Sequence, residues 1–165
     1  MGSDVTPISA PEPLTDVHEI DEFCSGEPSL DDWLKRRARA NQISGASRTF
    51  VATRGLRVIG YYALAAGAIA SSKAPTRLRR NMPDTIPVFV LGRLAVDRSE
   101  QGKMLGSLLL RDAILRSRKA AEFGGVAGAL VHAISERAQK FYLRHGFIEC
   151  PHHPMTLVAR MKDLA

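Results

Sequence analysis

A loop of small and polar residues in the middle of the chain has the composition of a phosphate-binding turn. It lies within Leu91–Arg111, a segment that reads as a strand, a loop and a helix. The first amides of a helix have no partner inside it and lie at the positive end of its dipole, so they can bind phosphate without a metal. Gln101, Gly102 and Gly106 supply the turn and allow close backbone approach, and Lys103 adds positive charge.

Two common nucleotide motifs are absent from this loop. It lacks the Gly-Lys-Ser/Thr ending of a P-loop, and it does not match the GxGxxG dinucleotide fingerprint. The composition alone also fits an ordinary turn between a strand and a helix. Whether the loop binds phosphate therefore depends on the elements around it.

Metal and disulfide chemistry are not predicted. Cys24 and Cys150 are far apart, and neither belongs to a CxxC or Cys/His cluster. The five histidines also lack the spacing of metal ligands. We expect two free thiols, a reducing environment and no metal site.

Hydrophobic periodicity and turn residues predict one α/β or α+β domain with a mixed sheet. The predicted order is α-α-β-β-β-α-β-α-β. The elements are helices over Thr15–Phe23 and Ser29–Gln42, strands over Arg48–Thr53 and Arg57–Ala70, a loop over 71–86, a strand over Pro87–Asp97, a helix over Leu105–Phe123, a strand over Val126–Ala133, a helix from Ser135 to His145 and a strand over Met155–Met161. Residues 1–12 are rich in Pro and Ser and are predicted to be flexible, leaving a single domain over 13–165.

Charge is distributed unevenly along the 165 residues. Residues 1–32 contain nine acidic side chains and neither Lys nor Arg, so all 23 basic residues lie in the remainder, with eight acids. Four of them cluster in the 71–86 loop: Lys73, Arg77, Arg79 and Arg80. Such a basic body attracts polyanions, including nucleic acid, although a merely soluble surface fits the charge equally well.

A cytoplasmic protein without a membrane segment is predicted. The N-terminal 32 residues lack the positive charge of a signal peptide. The longest apolar stretch, Val58–Ala70, falls short of the roughly 20 residues that cross a bilayer.

Two motifs resemble those of the GNAT superfamily of N-acetyltransferases. Gln101–Gly106 is similar to its motif A, Q/R-x-x-G-x-G/A, which wraps the pyrophosphate of coenzyme A. Ala138–Phe147 is similar to its motif B, A-x-x-F-Y-x-x-x-G-F. The resemblance implies the GNAT fold, a mixed β-sheet flanked by helices in which splayed strands form an acetyl-CoA cleft.

The resemblance also implies roles for individual residues. Tyr142 would be the catalytic acid that protonates the departing thiolate, although a tyrosine on a helix face also fits a core role. The residues expected to bind acetyl-CoA lie in the β-strand, the loop and the later helix: Leu94, Ala95, Val96, Gln101, Gly102, Lys103, Met104, Leu105, Gly106, Ser107, Ser135 and Phe141. Met104 departs from the motif, which has glycine there, and we expect it to lower the affinity for acetyl-CoA.

Four further strings are similar to the acetyltransferase toxins of type II toxin–antitoxin modules: Glu27–Leu34, Arg48–Val51, Gly60–Leu64 and Arg79–Asp84. This resemblance implies acetylation of the α-amine of aminoacyl-tRNA, which inhibits translation. It also implies a ribbon-helix-helix antitoxin, operator DNA bound through it, and a homodimer. The residues expected to contact tRNA are Arg77, Arg79, Arg80 and Arg93.

Other functions stay open at this point. The acceptor could be a small amine or a protein N-terminus, although the basic loop disfavours a cationic acceptor. The chain could also be an attenuated or non-catalytic CoA-binding variant, because of Met104. The sequence does not specify which aminoacyl-tRNA would be acetylated.

Overall fold

One mixed sheet of seven strands organises the computed structural model, which describes residues 6–164. The strand order is β1-β2-β3-β4-β5-β7-β6. The strands are β1 (Glu12–Pro13), β2 (Arg48–Arg54), β3 (Arg57–Ile69), β4 (Ile86–Val96), β5 (Gly128–His132), β6 (Ile148–Cys150) and β7 (His153–Arg160). The helices are α1 (Pro28–Arg36), α2 (Ala38–Ser44), α3 (Thr76–Arg79), α4 (Leu105–Ala121) and α5 (Glu136–Arg144). The α/β class and the mixed sheet are confirmed.

Both pairing directions occur in the sheet. β2 pairs antiparallel with β1 and β3, and β7 pairs antiparallel with β5 and β6. The parallel β4–β5 register runs from Val88 opposite Gly128 to Leu91 opposite Val131, and β4 continues to Val96 beyond the last of these pairs.

The chain divides into two compact units, each with its own apolar cluster. The first unit is Met1–Leu64 with Arg93–Asp112, and the second is Ala65–Gly92 with Ala113–Ala165. The core of the first unit comprises Leu14, Ile20, Phe23, Leu30, Leu34, Ala38, Val51, Val58, Tyr61 and Ala95. The core of the second comprises Ile69, Ala74, Leu78, Ile86, Val88, Leu130, Cys150 and Val158. The prediction of a single domain over 13–165 stays a prediction.

The segment Thr15–Phe23 is not helical, contrary to the sequence pattern. Its backbone pairs with β3 instead, because Glu19 N donates to Leu56 O and Val58 N donates to Glu19 O. The side chain of His18 also accepts a hydrogen bond from Thr15 N at 2.9 Å. Local polar and tertiary bonds therefore replace the helical ladder that the periodicity suggested.

The predicted helix Ser29–Gln42 is split in two at Arg37, where φ is −122° and ψ −31°. Its start also differs, since Pro28 occupies the first turn and Ser29 makes no capping bond. The buried Asp31 accepts hydrogen bonds from Ser25 N and Oγ, which fixes the entry to α1. Gly45, with φ +85°, ends α2 after Ser44, two residues beyond the predicted end at Gln42.

Part of the predicted flexible segment lies along β2. Residues 1–5 fall outside the described part of the chain. Farther on, Ser9 N donates to Thr53 O, and Glu12 lies opposite Val51 in register. The sequence pattern missed β1 and β6, since two- and three-residue strands are too short to show periodicity. No helix within residues 6–164 is long and apolar enough to cross a membrane.

Gly128 permits the close approach of β5 and β7. A Cβ at this position would lie 2.2 Å from the carbonyl oxygen of Ala159 and 3.2 Å from a methyl group of Leu78. We predict that Gly128→Ala lowers the free energy of unfolding by about 1–3 kcal/mol, because the strands must shift to relieve the overlap. Denaturant unfolding measures this effect.

Gly124→Ala is the matched control, since a Cβ there meets no atom within 4 Å. Equal unfolding midpoints for the two variants would contradict the prediction.

Candidate functional site

The loop after β4 turns into α4 through two residues with positive φ. Gly102 has φ +79° and Met104 has φ +68°. The carbonyl oxygen of Met104 accepts the bond from Leu108 N at 3.2 Å, so Met104 caps the N-terminus of α4. Left-handed backbone at these two points turns the chain sharply into the helix.

The backbone amides of this loop are available to a ligand. Among residues 6–164, none of the amides from Gly102 to Gly106 makes a short, well-aligned hydrogen bond to a protein acceptor outside α4. Leu105 and Gly106 occupy the first turn of α4, where amides have no partner within the helix. Lys103 lies beside them with a side chain that is 60% exposed. A turn of this kind at the start of a helix is suited to an anionic ligand, and the diphosphate site stays a prediction.

Gln101 fixes the loop to its surroundings with its side chain. Its Nε2 donates to Val96 O at 2.9 Å and to Ser25 O at 2.7 Å. The amide group thus connects the end of β4 to the segment that precedes α1. This side chain positions the loop, and the amides that follow it are the ones that fit a ligand.

Two buried carboxylates hold the turn between β4 and the loop. Glu100 forms a two-point ion pair with Arg54, with distances of 3.0 Å from Nε to Oε2 and 3.1 Å from Nη2 to Oε1. Asp97 accepts hydrogen bonds from the backbone amide of Cys24 and from both the amide and hydroxyl of Ser99. The loop is therefore fixed on its buried side.

The ionisation of both carboxylates follows from these contacts. The hydrogen bond from Arg54 holds the pKa of Glu100 below its ordinary value. For Asp97, burial opposes ionisation, but the hydrogen bonds from Cys24 and Ser99 outweigh burial and lower the pKa. Both groups are negatively charged at neutral pH.

Sequence reasoning missed these two anchoring residues. Asp97 followed by Ser99 directly after a strand is an Asx-turn pattern, so its local hydrogen bond could have been found. Glu100 carried no such signal, because an acidic residue in a loop normally predicts solvent exposure. Its partner Arg54 is 46 positions away in the sequence.

Strand β3, next to the end of β4, packs closely against the first turns of α4. Ala95 is buried, whereas Leu94 and Val96 are half-buried. A Cβ at Gly60, on β3, would lie 2.9 Å from Leu109 and 3.1 Å from Leu105. Glycine at this position therefore allows the first turns of α4 to approach the sheet closely.

The predicted residues of the second unit lie on α5. The side chain of Ser135 caps the helix by accepting a hydrogen bond from Ala138 N at 3.1 Å. Tyr142 is buried between two rings, with centroid distances of 5.2 Å to Phe141 and 5.6 Å to Phe147. Burial raises the pKa of Tyr142 to about 12, so its hydroxyl keeps its proton at neutral pH.

Arg93 and Trp33 form a stack in the first unit. The guanidinium of Arg93 lies 5.1 Å from the ring centroid of Trp33, and the ring of Trp33 stacks on Tyr61 at 6.0 Å. These contacts place Trp33 at the edge of the core. Arg93 is half-buried, whereas Arg77, Arg79 and Arg80 in the second unit are exposed.

The structure thus brings the predicted strand and loop residues together in the first unit, from Leu94 to Ser107. It groups Ser135, Phe141 and Tyr142 on one helix of the second. Within residues 6–164, no group of three or more His, Cys, Asp or Glu side chains has the geometry to hold a metal ion.

Comparisons with known proteins agree on one family. The model of the acetyltransferase (GNAT) domain matches residues 45–149. A tRNA-acetylating toxin of Mycobacterium tuberculosis is 52% identical over 155 residues, covering 94% of this chain and 93% of the relative.

Solved structures of two toxins share the fold. A structure of a mutant of KacT superposes with a TM-score of 0.88 at 28% identity, covering 94% of this chain and 95% of that one. AtaT in complex with acetyl-methionyl-tRNAfMet gives a TM-score of 0.87 at 28% identity, with coverages of 94% and 96%. AtaT also matches in a complex with the C-terminus of the antitoxin AtaR and acetyl-CoA, and as an AtaT–AtaR complex bound to DNA (TM-scores 0.80 and 0.74; identities 27% and 30%). Each of these covers 94% of this chain, and 94% and 95% of the matched chains.

The Arg54–Glu100 pair yields a test of how the loop is anchored. We predict that Glu100→Gln lowers the free energy of unfolding by about 2 kcal/mol at neutral pH, since the largely buried guanidinium of Arg54 then loses this charged acceptor. The folded-state pKa of Glu100 is depressed, so the wild-type advantage exists above the ordinary glutamate pKa and disappears as the pH falls through the folded-state pKa. Unfolding curves measured from pH 7 down to pH 3 give the difference.

Glu122→Gln removes the same charge from an exposed position and serves as control. If the difference in the free energy of unfolding between wild type and Glu100→Gln does not decrease at acidic pH, the ion pair is not its cause.

Proposed function

The chain belongs to the GNAT acetyltransferase family, and we propose that it is a toxin that transfers acetyl from acetyl-CoA to the α-amine of aminoacyl-tRNA and so inhibits translation. The observation that carries this proposal is the set of amides at the start of α4, which fits the diphosphate of acetyl-CoA. The identity to a tRNA-acetylating toxin supports the choice of acceptor.

The residues that would hold acetyl-CoA are those of the strand–loop–helix unit. The loop amides and Lys103 would bind the diphosphate, and the backbone of Leu94–Val96 would bind the pantetheine arm. An amide of β4 near Val96 would donate to the thioester carbonyl oxygen. When bound, acetyl-CoA supplies an acetyl group that is already activated as a thioester.

The chemistry of the acceptor matches a site without a strong base. An α-amine has a pKa near 8, so a substantial fraction is neutral at cellular pH, whereas a lysine side chain has a pKa near 10.4. Tyr142 would hold a proton at its phenol oxygen for the thiolate that departs. The phenol is protonated at neutral pH, as a proton donor must be, and burial makes it a weaker acid than an exposed tyrosine.

The partners that we propose follow the same reasoning. The exposed Arg79 and Arg80, with Arg93, would contact tRNA phosphates, whereas Arg77 lies within ion-pair distance of Asp163. Complexes of AtaT with acetylated tRNA, with AtaR and with DNA support tRNA, antitoxin and operator partners for this chain. We further propose that the antitoxin is of the ribbon-helix-helix type, that the toxin is a homodimer, and that it acts in the cytoplasm, where charged tRNA is found.

An attenuated or non-catalytic CoA-binding variant is the second candidate, and Met104 favours it. A non-glycine residue in the left-handed region costs roughly 1–2 kcal/mol. Met104 is 72% exposed. A Cβ and a long side chain at this position would restrict the approach of a diphosphate.

Incubation with radiolabelled acetyl-CoA tests the function directly. Label should appear on charged tRNA, and uncharged tRNA, polyamines and peptide N-termini should remain unlabelled. Transfer to an amine other than charged tRNA would identify a different acceptor, and no transfer from a folded protein would favour the non-catalytic variant. Growth arrest on induction, relieved by a neighbouring antitoxin gene, tests the toxin role in cells.

Tyr142 provides a test of the chemical step. We predict that Tyr142→Phe lowers kcat by about 100-fold or more, because the proton donor is lost while the ring packing remains. Affinity for acetyl-CoA, measured by calorimetry, should stay within about twofold of wild type, since the loop amides are unchanged.

Tyr61→Phe is the control, because it removes another buried hydroxyl, one that bonds Leu30 O at 2.7 Å. Undiminished turnover in Tyr142→Phe would remove this residue from the mechanism.

Met104 provides a test of the loop. We predict that Met104→Gly binds acetyl-CoA about three- to tenfold more tightly, because backbone without a Cβ can approach the diphosphate. Met104→Ala separates the causes: it retains the Cβ and shortens the side chain. If Met104→Ala binds acetyl-CoA with nearly the wild-type affinity, the Cβ is the cause of the effect. Equal affinities for acetyl-CoA in wild type, Met104→Gly and Met104→Ala would contradict the prediction.

A further inference from the structure

The basic segment between β3 and β4 is fixed to the second unit at several points. Leu78, in the middle of α3, is only 2% exposed and belongs to the apolar core. The carboxylate of Asp84 accepts hydrogen bonds from Ser71 N at 3.1 Å and Thr85 N at 3.0 Å, which closes the segment on itself. Its arginines therefore project from an anchored surface.

One carboxylate near the C-terminus compensates part of this positive charge. Asp163 forms a two-point ion pair with Arg160, with distances of 2.7 Å from Nε to Oδ2 and 2.8 Å from Nη2 to Oδ1. The Nε of Arg77 lies 3.5 Å from the same Oδ2. The hydrogen bond from Arg160 holds the pKa of Asp163 below its ordinary value, so the group is charged at neutral pH.

Arg79 and Arg80 differ from Arg77 in the acidic groups around their guanidinium groups. Both are exposed, and in the part of the chain that the structure describes neither has an acidic group within 4.0 Å of its guanidinium. The three arginines of this segment therefore differ: Arg79 and Arg80 have no carboxylate nearby, whereas Arg77 already forms an ion pair with Asp163.

We propose that Asp163 divides the basic segment, so that Arg79 and Arg80 bind RNA phosphates while Arg77 contributes only when that carboxylate is removed. The inference rests on the proposed function, because it takes tRNA as the polyanion. A guanidinium with no protein partner releases counterions when it binds a phosphate, and this release drives association at low salt. Arg77 must first leave Asp163, whose negative charge also repels the phosphate.

Asp163 would therefore lower the affinity of the basic segment for RNA, an effect that the composition of the segment does not predict. Removal of an acidic group from the C-terminal turn should increase binding through an arginine about 85 positions earlier in the chain. Removal of Arg77 should matter little while Asp163 is present. The two substitutions are therefore expected to be non-additive.

Salt-dependent binding of uncharged tRNA to the full chain tests this proposal. Fluorescence anisotropy over a range of KCl concentrations gives the slope of log K against log salt. We expect Arg79→Ala and Arg80→Ala each to reduce the slope by about 0.7–0.9, and Arg77→Ala to reduce it much less. Asp163→Asn should tighten binding about two- to fivefold at a fixed salt concentration. In the Asp163→Asn background, Arg77→Ala should then reduce the slope as much as Arg79→Ala does.

Glu122→Gln controls for the loss of one negative charge elsewhere in the second unit. The proposal is overturned if Asp163→Asn binds no more tightly than this control. Equal slope losses for Arg77→Ala and Arg79→Ala would also overturn it, and this comparison leaves Asp163 intact. Loss of antitoxin binding with unchanged tRNA binding in Arg79→Ala would assign the surface to a protein partner instead. Wild type that binds no tRNA at any salt concentration would instead count against the proposed function.

Discussion

The buried ion pair between Arg54 and Glu100 is the interaction on which the candidate binding loop depends. A charged pair in this environment is stable only with good geometry, and two hydrogen bonds of 3.0 and 3.1 Å provide it. The bonds of Asp97 and Gln101 fix the two sides of the same turn. Because the polar side chains face inward and are satisfied there, the backbone amides of the loop are left to face a ligand. Anchoring thus uses side chains of this short segment, whereas the proposed ligand site would use its backbone amides.

Met104 places a non-glycine residue in the left-handed region of backbone conformation. Left-handed backbone is needed to begin α4 directly after the turn, and glycine meets that requirement without a steric cost. Methionine adopts the same φ because the rest of the turn is over-determined by the anchoring contacts. The loop therefore keeps a left-handed residue at this position although that residue is not glycine.

Electrostatics shape the rest of the surface. The acidic segment at the start of the chain packs within the first unit, where Arg39 Nη2 donates to the carbonyl oxygens of Thr15 and His18. In the second unit, Asp163 forms ion pairs with Arg160 and Arg77, whereas Arg79 and Arg80 have no acidic group within 4.0 Å among residues 6–164. Net charge therefore overstates the number of cations that a polyanion can contact.

The family, the mixed sheet, most of the element positions and the position of the loop before α4 could be predicted from the amino-acid sequence. These features follow from local information: hydrophobic periodicity, turn residues and two short motifs whose spacing is fixed along the chain. Tertiary structure alone decided that Thr15–Phe23 pairs with β3 instead of forming a helix, that Glu100 is a buried anchor and that Arg77 is held by a carboxylate. Each of these outcomes depends on a partner between 37 and 86 positions away in the sequence. Such pairings carry no local signature, because the free energy that selects them exists only once the chain has brought the two groups together.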